Sequence, residues 1–259
     1  MRIDCHVHGD VEEFGGDPAA YVGACREAGI ERIVLIEPLD MCLAAVEEFG
    51  DFIVPVARVE MDDCSSREIA AAIRAGMKGI KFIRPRAPYG DERYWHLYEK
   101  IEQLGAVAVY HTGFLGCRGR EDRPAHTEYM RAAQVEVIAR RFSDLKILMA
   151  HFSNPWWEEA WKIMFSLPNV YADLSGGTAV RRSLAMWAET FAPDERVDER
   201  SLAKLVFATD CRHFRGDDPP VTPVADLYDR LLDKIAVSPE LREAVLRGTA
   251  VRLFGLDSP

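Results

Sequence analysis

The sequence predicts an α/β protein whose parallel strands close into a (β/α)8 barrel followed by a C-terminal helical tail. Three observations lead there. Short apolar runs alternate eight times with amphipathic segments along the 259 residues. Histidines and an aspartate recur at the C-terminal ends of those runs. The length matches the roughly 250 residues typical of such a barrel.

The runs are IDCHVH (3–8), ERIVLIE (31–37), DFIVPVARVE (51–60), KGIKFI (78–83), AVAVYH (106–111), KILMAH (146–151), NVYADLS (169–175) and KLVFATD (204–210). They are short, rich in Val, Ile, Leu and aromatics, and read as buried parallel strands. Between them stand helix signals. Pro18, after Asp17, opens AAYVGACREAG, with a glycine stop at Gly29. Ser65 to Glu68 has the spacing of a capping box and opens a helix ending near Gly76. Asn154-Pro155 precedes WWEEAWKIMFS, and the chain after residue 222 reads as a helical tail. Alternation of this kind restricts the fold to α/β with a parallel sheet, open or closed, in a single domain over 1–259.

The polar residues choose between open and closed. In RIDCHVHGD (2–10), His6 and His8 point the same way only on an extended strand, where Asp4 shares their face and Cys5 takes the other. His111, His151 and Asp210 close three later runs. Strict alternation groups Val107 and Val109 with His111, Ile147 and Met149 with His151, and Val206 and Ala208 with Asp210. On the fourth run Ile80 and Phe82 face the helices, so Lys81 points inward, since a lysine under the helices is a costly buried charge. In an open sheet, strands about 4.8 Å apart would hold residues 6 and 210 tens of ångströms from each other. In a closed barrel of eight strands they are neighbours and can share one ion.

In this order, DCHVH, GIKF, YHTG, AHFS, NVYADLSG and FATD resemble the amidohydrolase superfamily, nearest its amidohydrolase-related branch of metal-dependent TIM-barrel hydrolases and decarboxylases. The ending GTAVRLFGL is similar to that branch's NAxRLFGL, with Thr249 in place of asparagine. The resemblance implies that His6, His8 and Asp210 bind a divalent metal and that His111 completes a mononuclear site. It implies that His151 binds a second ion or hydrogen-bonds water or substrate. Lys81 either bridges two ions as a carboxylated lysine or binds substrate, so one ion and two are both open.

Imidazole and carboxylate ligands suit zinc, manganese, iron or nickel, and ligand type alone does not select among them; zinc is the expected ion. Such an ion lowers the pKa of water from about 15.7 toward 7. Asp210 could then move the proton, with His151 stabilising the attacked carbonyl. The expected activity is hydrolysis of an amide, lactone or related C–N or C–O bond. A nonoxidative decarboxylase of a carboxylated aromatic acid and a non-catalytic metal-binding barrel are the alternatives.

Arginines follow several runs: Arg84 and Arg86; Arg118, Arg120 and Arg123; Arg181 and Arg182; Arg212 and Arg215. Guanidinium groups match carboxylates, so a small anionic substrate is expected, with Arg84 and Arg212 as its binding residues; ion pairing with nearby acids is the competing role. A net charge of −10 argues against nonspecific nucleic-acid binding and a basic membrane-surface role. No apolar run suits a signal peptide or a membrane span. Six scattered cysteines read as reduced thiols of a cytoplasmic protein, with a homo-oligomer allowed. Trp156, Trp157 and Trp161 are expected in packing, and Gly15-Gly16 and Gly176-Gly177 in turns.

Overall fold

The fold is taken from a computed structural model, which describes residues 1–9, 18–116, 124–176, 179–211 and 224–256. Eight parallel strands run in chain order: β1 (Arg2–Val7), β2 (Ile30–Glu37), β3 (Ile53–Arg58), β4 (Gly79–Phe82), β5 (Val107–His111), β6 (Lys146–Ala150), β7 (Val170–Asp173) and β8 (Leu205–Val206). Among the helices between them are α1 (Pro18–Glu27), α2 (Leu39–Phe49), α3 (Ser66–Arg74), α4 (Trp95–Gln103), α5 (Ala132–Arg141) and α6 (Trp157–Ser166). After β7 come α7 (Leu184–Phe191) and the short α8 (Glu199–Leu202). The tail is α9 (Val224–Lys234), α10 (Pro239–Glu243) and α11 (Thr249–Phe254). This is a nearly closed TIM barrel. Among the described residues no helix is long and apolar enough to cross a membrane.

The expected strand between 204 and 210 keeps regular pairing only at Leu205–Val206. Its continuation still closes the ring, because Cys5 N donates to Phe207 O (2.9 Å), Asp210 N to His6 O (2.9 Å) and His8 N to Cys211 O (2.8 Å). Inside the ring Cys5, Ile36, Val56, Val109, Leu148 and Ala208 pack together, and Leu253 and Phe254 of α11 join them. Thr249 Oγ1 donates to Ala203 O, ahead of β8, so the tail plugs the N-terminal end of the barrel and leaves the C-terminal mouth to the polar residues. The outer layer holds Ile80, Phe82, Tyr110 and Met149 against the helices.

Alternation holds for β4, β5 and β8 and fails at two strands. On β1 Asp4 lies opposite Ile33 and Val7 opposite Leu35, so three steps on β1 match two on β2. Such a bulge reverses the side-chain parity. Cys5 therefore joins the interior together with His6, whereas Asp4 takes the outer side, where Thr209 N and Thr209 Oγ1 donate to its carboxyl (3.0 and 2.6 Å). On β6 Leu148 is the inward residue, and Ile147 and Met149 face the helices. His151 belongs to a left-handed turn, and strand alternation does not place it.

The sequence signals at helix starts are physical. Ser65 Oγ accepts from Glu68 N and the Glu68 carboxylate accepts from Ser65 N (2.8 Å), a capping box that satisfies two donors at the head of α3. Trp156 lies under the Arg131 guanidinium and Trp157 under that of Arg182, both 4.7 Å from ring centroid to guanidinium carbon. Trp161 donates to Asp198 (2.9 Å). The tryptophans are packing residues, as expected.

Tyr228 of α9 ties the last two strands together under the mouth. Its buried hydroxyl donates to Val206 O (2.7 Å) and accepts from Leu174 N (2.8 Å). Tyr228→Phe leaves that buried N–H without an acceptor, which costs about 1–3 kcal/mol. Urea unfolding should show a loss of that size; an unchanged midpoint and slope would exclude the bond as a support of β7 and β8.

Candidate functional site

The barrel mouth gathers residues from all eight strands or the turns that follow them. His6 and His8 project from β1 with their Nε2 atoms 3.2 Å apart. Asp210 Oδ1 stands 3.7 Å from His6 Nε2 and 3.5 Å from His8 Nε2. His8 Nδ1 is 2.9 Å from Ile36 O, and a carbonyl can only accept, so the neutral ring carries its proton on Nδ1 and turns a lone pair toward Asp210. Glu37 sits behind it, buried, accepting from Gly9 N (2.9 Å) and lying 3.6 Å from both His8 Nδ1 and Arg58.

His151 faces the other side of His6, with ring centroids 4.9 Å apart, and His111 follows at 4.7 Å from His151. The imidazoles thus form a chain, His8–His6–His151–His111. Among the described residues two sets of three bring potential ligand atoms within 4.8 Å of one another: His6, His8 and Asp210, and His6, His151 and Asp173. Among the described residues His111 belongs to neither set; its ring touches that of His151.

His151 reaches the site through an unusual backbone. His151, Phe152 and Ser153 have φ of 67°, 48° and 49°, three consecutive residues in the left-handed region. Each costs roughly 1–3 kcal/mol outside glycine. Buried hydrogen bonds offset this. Asp173 Oδ1 accepts from His151 N (2.9 Å), and Thr112 Oγ1 accepts from Ser153 N (2.9 Å) while donating to Ala150 O (2.6 Å). Ser153 Oγ accepts from Ala132 N (3.1 Å). Gly176, at φ 94°, lets the β7 loop lie flat beneath the site; a Cβ there would stand 3.1 Å from His151 Nδ1 and 3.7 Å from Asp210 Oδ2.

Lys81 is buried with its ammonium toward the rings, and its charge helps to lower the pKa of both His6 and His151. The larger cause is burial itself, which pushes both rings below the ordinary histidine value of 6.5. Asp210 works the other way on each. Burial lifts the Asp4 carboxyl, outside the ring, to about 7.

Arg84 (φ 56°) lies 3.8 Å from Glu60, and with Pro85, Arg86 and Pro124 they line a cleft of about 340 Å³ at the rim. Arg86 pairs with Asp63 (3.2 Å). Both acids, Glu60 and Asp63, belong to the stretch after β3. Arg212, Arg215, Arg118, Arg120, Arg123 and His213 lie outside the described residues, as do Asp17, Gly15, Gly16 and Gly177. His96 sits on α4, and His126 stacks on Tyr129 (4.8 Å).

Two residues of the site escaped sequence reasoning. Asp173 ends β7 as His111 ends β5, fully buried, and Ser175 Oγ lies 2.9 Å from His151 Nδ1 and 3.5 Å from His6 Nδ1. The sequence signal for both is the polar end of the seventh run, NVYADLS, where Asp173 stands two residues before Ser175.

The donor set suits a divalent ion. Ligand atoms about 2.1 Å from one ion stand about 3.0–3.4 Å apart at octahedral or tetrahedral angles. The three separations of 3.2, 3.5 and 3.7 Å begin in that range and exceed it by tenths.

No curated protein matches the chain. Among solved structures it is similar to a candidate 2-pyrone-4,6-dicarboxylic acid hydrolase from Pseudomonas putida, 19% identical over 100% of this chain and 99% of that one, TM-score 0.69. A candidate for the same activity from Acinetobacter baumannii, with citric acid bound, is 14% identical over 98% and 99%, TM-score 0.68. A dihydroxybenzoic acid decarboxylase from Polaromonas, with manganese and 2-nitroresorcinol bound, is 16% identical over 100% and 98%, TM-score 0.66. These likenesses carry the fold. The amidohydrolase family profile matches residues 3–256, nearly the whole length, and the chain belongs to the amidohydrolase family.

Proposed function

We propose that the protein is a metal-dependent hydrolase of a small carboxylate-bearing substrate, cleaving an amide, lactone or related C–N or C–O bond. The observation that carries this reading is the convergence of His6 Nε2, His8 Nε2 and an Asp210 oxygen within 3.7 Å of one another at the barrel mouth. His6, His8 and Asp210 would hold the ion, His111 or His151 would complete its shell, and zinc is the first choice among divalent metals. When bound, such an ion supplies Lewis acidity and makes water acidic enough to attack at neutral pH. Asp210 takes the proton of the attacking water on a carboxylate oxygen and returns it to the leaving group. His151, braced by Ser175, holds the substrate carbonyl by a ring nitrogen. Lys81 offers its ammonium to a substrate carboxylate or, once carboxylated by CO2, would serve as a ligand to a second ion. Arg84 and Arg212 are assigned to the substrate's outer charge. The named activity of the Pseudomonas and Acinetobacter neighbours, on a dicarboxylic acid, supports an anionic substrate. In this reading residues 1–259 act as one domain, in the cytoplasm.

A second reading, nonoxidative decarboxylation of a hydroxybenzoate-type acid, draws support from the decarboxylases among the structural neighbours. There Asp210 or His151 delivers a proton to ring carbon as CO2 leaves. Lactones of dicarboxylic acids and hydroxybenzoates, assayed in parallel, separate the two: acid release without CO2 is expected, and CO2 release alone replaces the first reading with the second.

His8→Ala and Asp210→Ala should each lower kcat/KM at least about 100-fold and reduce bound metal, read by elemental analysis. His96→Ala, on α4, should match wild type. Full activity of a metal-free Asp210→Ala variant would end the hydrolase reading.

Burial of these ionisable groups sets a pH dependence for metal-free protein. His6 and His151 have folded pKa values below 6.5, so below that pH the unfolded chain binds protons the folded one refuses, and stability falls with acid. Asp4, lifted from 3.8 to about 7, has the opposite sign: between those values the folded state holds a proton that the unfolded chain has released, so its contribution to stability grows as pH falls. Asp4→Asn removes the compensating group. Urea unfolding between pH 7 and pH 5 should show a steeper loss in the variant than in wild type; equal slopes would contradict the role of Asp4 burial.

A further inference from the structure

His6 turns its two ring nitrogens to two different groups. Nε2 faces His8 and Asp210, and Nδ1 faces Asp173 Oδ2 at 3.5 Å. Asp173 is fully buried, and its two oxygens divide their work. Oδ1 accepts from His151 N (2.9 Å) and Ser175 N (2.8 Å). Oδ2 accepts no hydrogen bond among the described residues. An ionised carboxylate has only acceptors to offer, so a ring nitrogen beside Oδ2 is favoured as a donor.

We infer that Asp173 is a positioning residue that holds the His6 proton on Nδ1 and thereby aims the Nε2 lone pair at the space shared with His8 and Asp210, while the same carboxylate fixes the His151 turn. For His8 the carbonyl of Ile36 does the first of these jobs, at 2.9 Å. For His6 no main-chain carbonyl contact is found among the described residues; Ser175 Oγ and Asp173 Oδ2 both stand 3.5 Å from Nδ1, and of the two the hydroxyl can donate or accept whereas the carboxylate can only accept. With both protons placed outward, three acceptors converge, His6 Nε2, His8 Nε2 and Asp210 Oδ1. A cation is what such a group is built to take. The proton count does not change; only its position on the ring does. Outer partners of this kind are worth roughly 10- to 100-fold in metal affinity. The effect on an ion rests on the metal set proposed above, whereas the ring's proton position does not.

Asp173→Asn is the informative variant. Its amide oxygen can keep the bonds to His151 N and Ser175 N, which preserves the turn. Its NH2 group then takes the place of Oδ2 and presents a donor to His6 Nδ1, driving the ring proton to Nε2. Two measurements on the full chain decide the matter. In chelator-treated, 15N-labelled protein at pH 7.5, two-bond 1H–15N spectra should show His6 protonated on Nδ1 in wild type and on Nε2 in Asp173→Asn. Titration with Zn(II) should show the same stoichiometry in both proteins, with affinity about 10- to 100-fold weaker in the variant. A wild-type His6 protonated on Nε2, a variant affinity within twofold of wild type, or the loss of one ion of two in the variant would each overturn the inference, the last by making Asp173 a ligand. If wild type binds no zinc, or His8→Ala binds as wild type does, the proposed metal set fails, and the spectra alone still decide whether Asp173 sets the proton of His6.

Discussion

The site depends on one constraint, the closure of β8 onto β1. Residues 6 and 210 are separated by most of the chain, yet Asp210 N donates to His6 O and His8 N to Cys211 O. Those two main-chain bonds bring the acid of the last strand beside the imidazoles of the first. The closure is irregular: β8 has two residues of regular pairing and β1 carries a bulge. The irregularity has a use. A regular β1 would put Cys5 on the opposite face from His6; the bulge lets both enter the interior, Cys5 as a small apolar filler low in the ring and His6 at its top. Asp4, sent outward, becomes an acceptor for Thr209 N and so helps to lock β8 at the level where Asp210 emerges.

A second departure from regularity delivers His151. Three left-handed residues in a row together cost several kcal/mol, on the order of 3–9, and the turn persists because its amides are claimed from outside. Asp173 and Thr112 each take one, and Ser153 Oγ is held by the head of α5. Buried bonds to neutral groups contribute about 1 kcal/mol each and those to charged groups about 1.5–3, the right order to offset the strain. Asp173 therefore couples two things that a strand end alone cannot: the backbone of β6's turn and the ring of β1. Local misplacement of that carboxylate would disturb both at once, which is why its substitution is best probed by asparagine, with its retained oxygen.

Much of this was legible in the sequence, and the boundary has a physical cause. Period-two alternation places Lys81 and His111 inward correctly, because β4 and β5 follow the pleat, whereas Asp210, at φ 59°, emerges from a left-handed residue beyond β8. It fails for Asp4, Cys5 and the partners of His151. A bulge and a left-handed turn are fixed by hydrogen bonds from distant residues, Thr209 for one and Asp173 and Thr112 for the other, and one strand's pattern carries no trace of them. The arginines show a similar limit. Their density at the rim was visible, but the partners of Arg84 and Arg86 come from the loop after β3, close in space through the order of strands and remote from the acids beside them in sequence.

Burial ties the electrostatics to the proposed chemistry. A histidine in water near pH 6.5 is half protonated, and a protonated ring repels a cation and has no lone pair to give it. Desolvation removes that competition for His6 and His151 by disfavouring the charged form, and the Lys81 ammonium pushes the same way. The opposing pull of Asp210 on both rings is outweighed. The neutral ring is then oriented by its second nitrogen: the Ile36 carbonyl settles His8, and a buried carboxylate stands beside His6. Desolvation favours the neutral rings, and the partners of the second nitrogens, Ile36 O for His8 and Asp173 with Ser175 for His6, bear on which way each lone pair points.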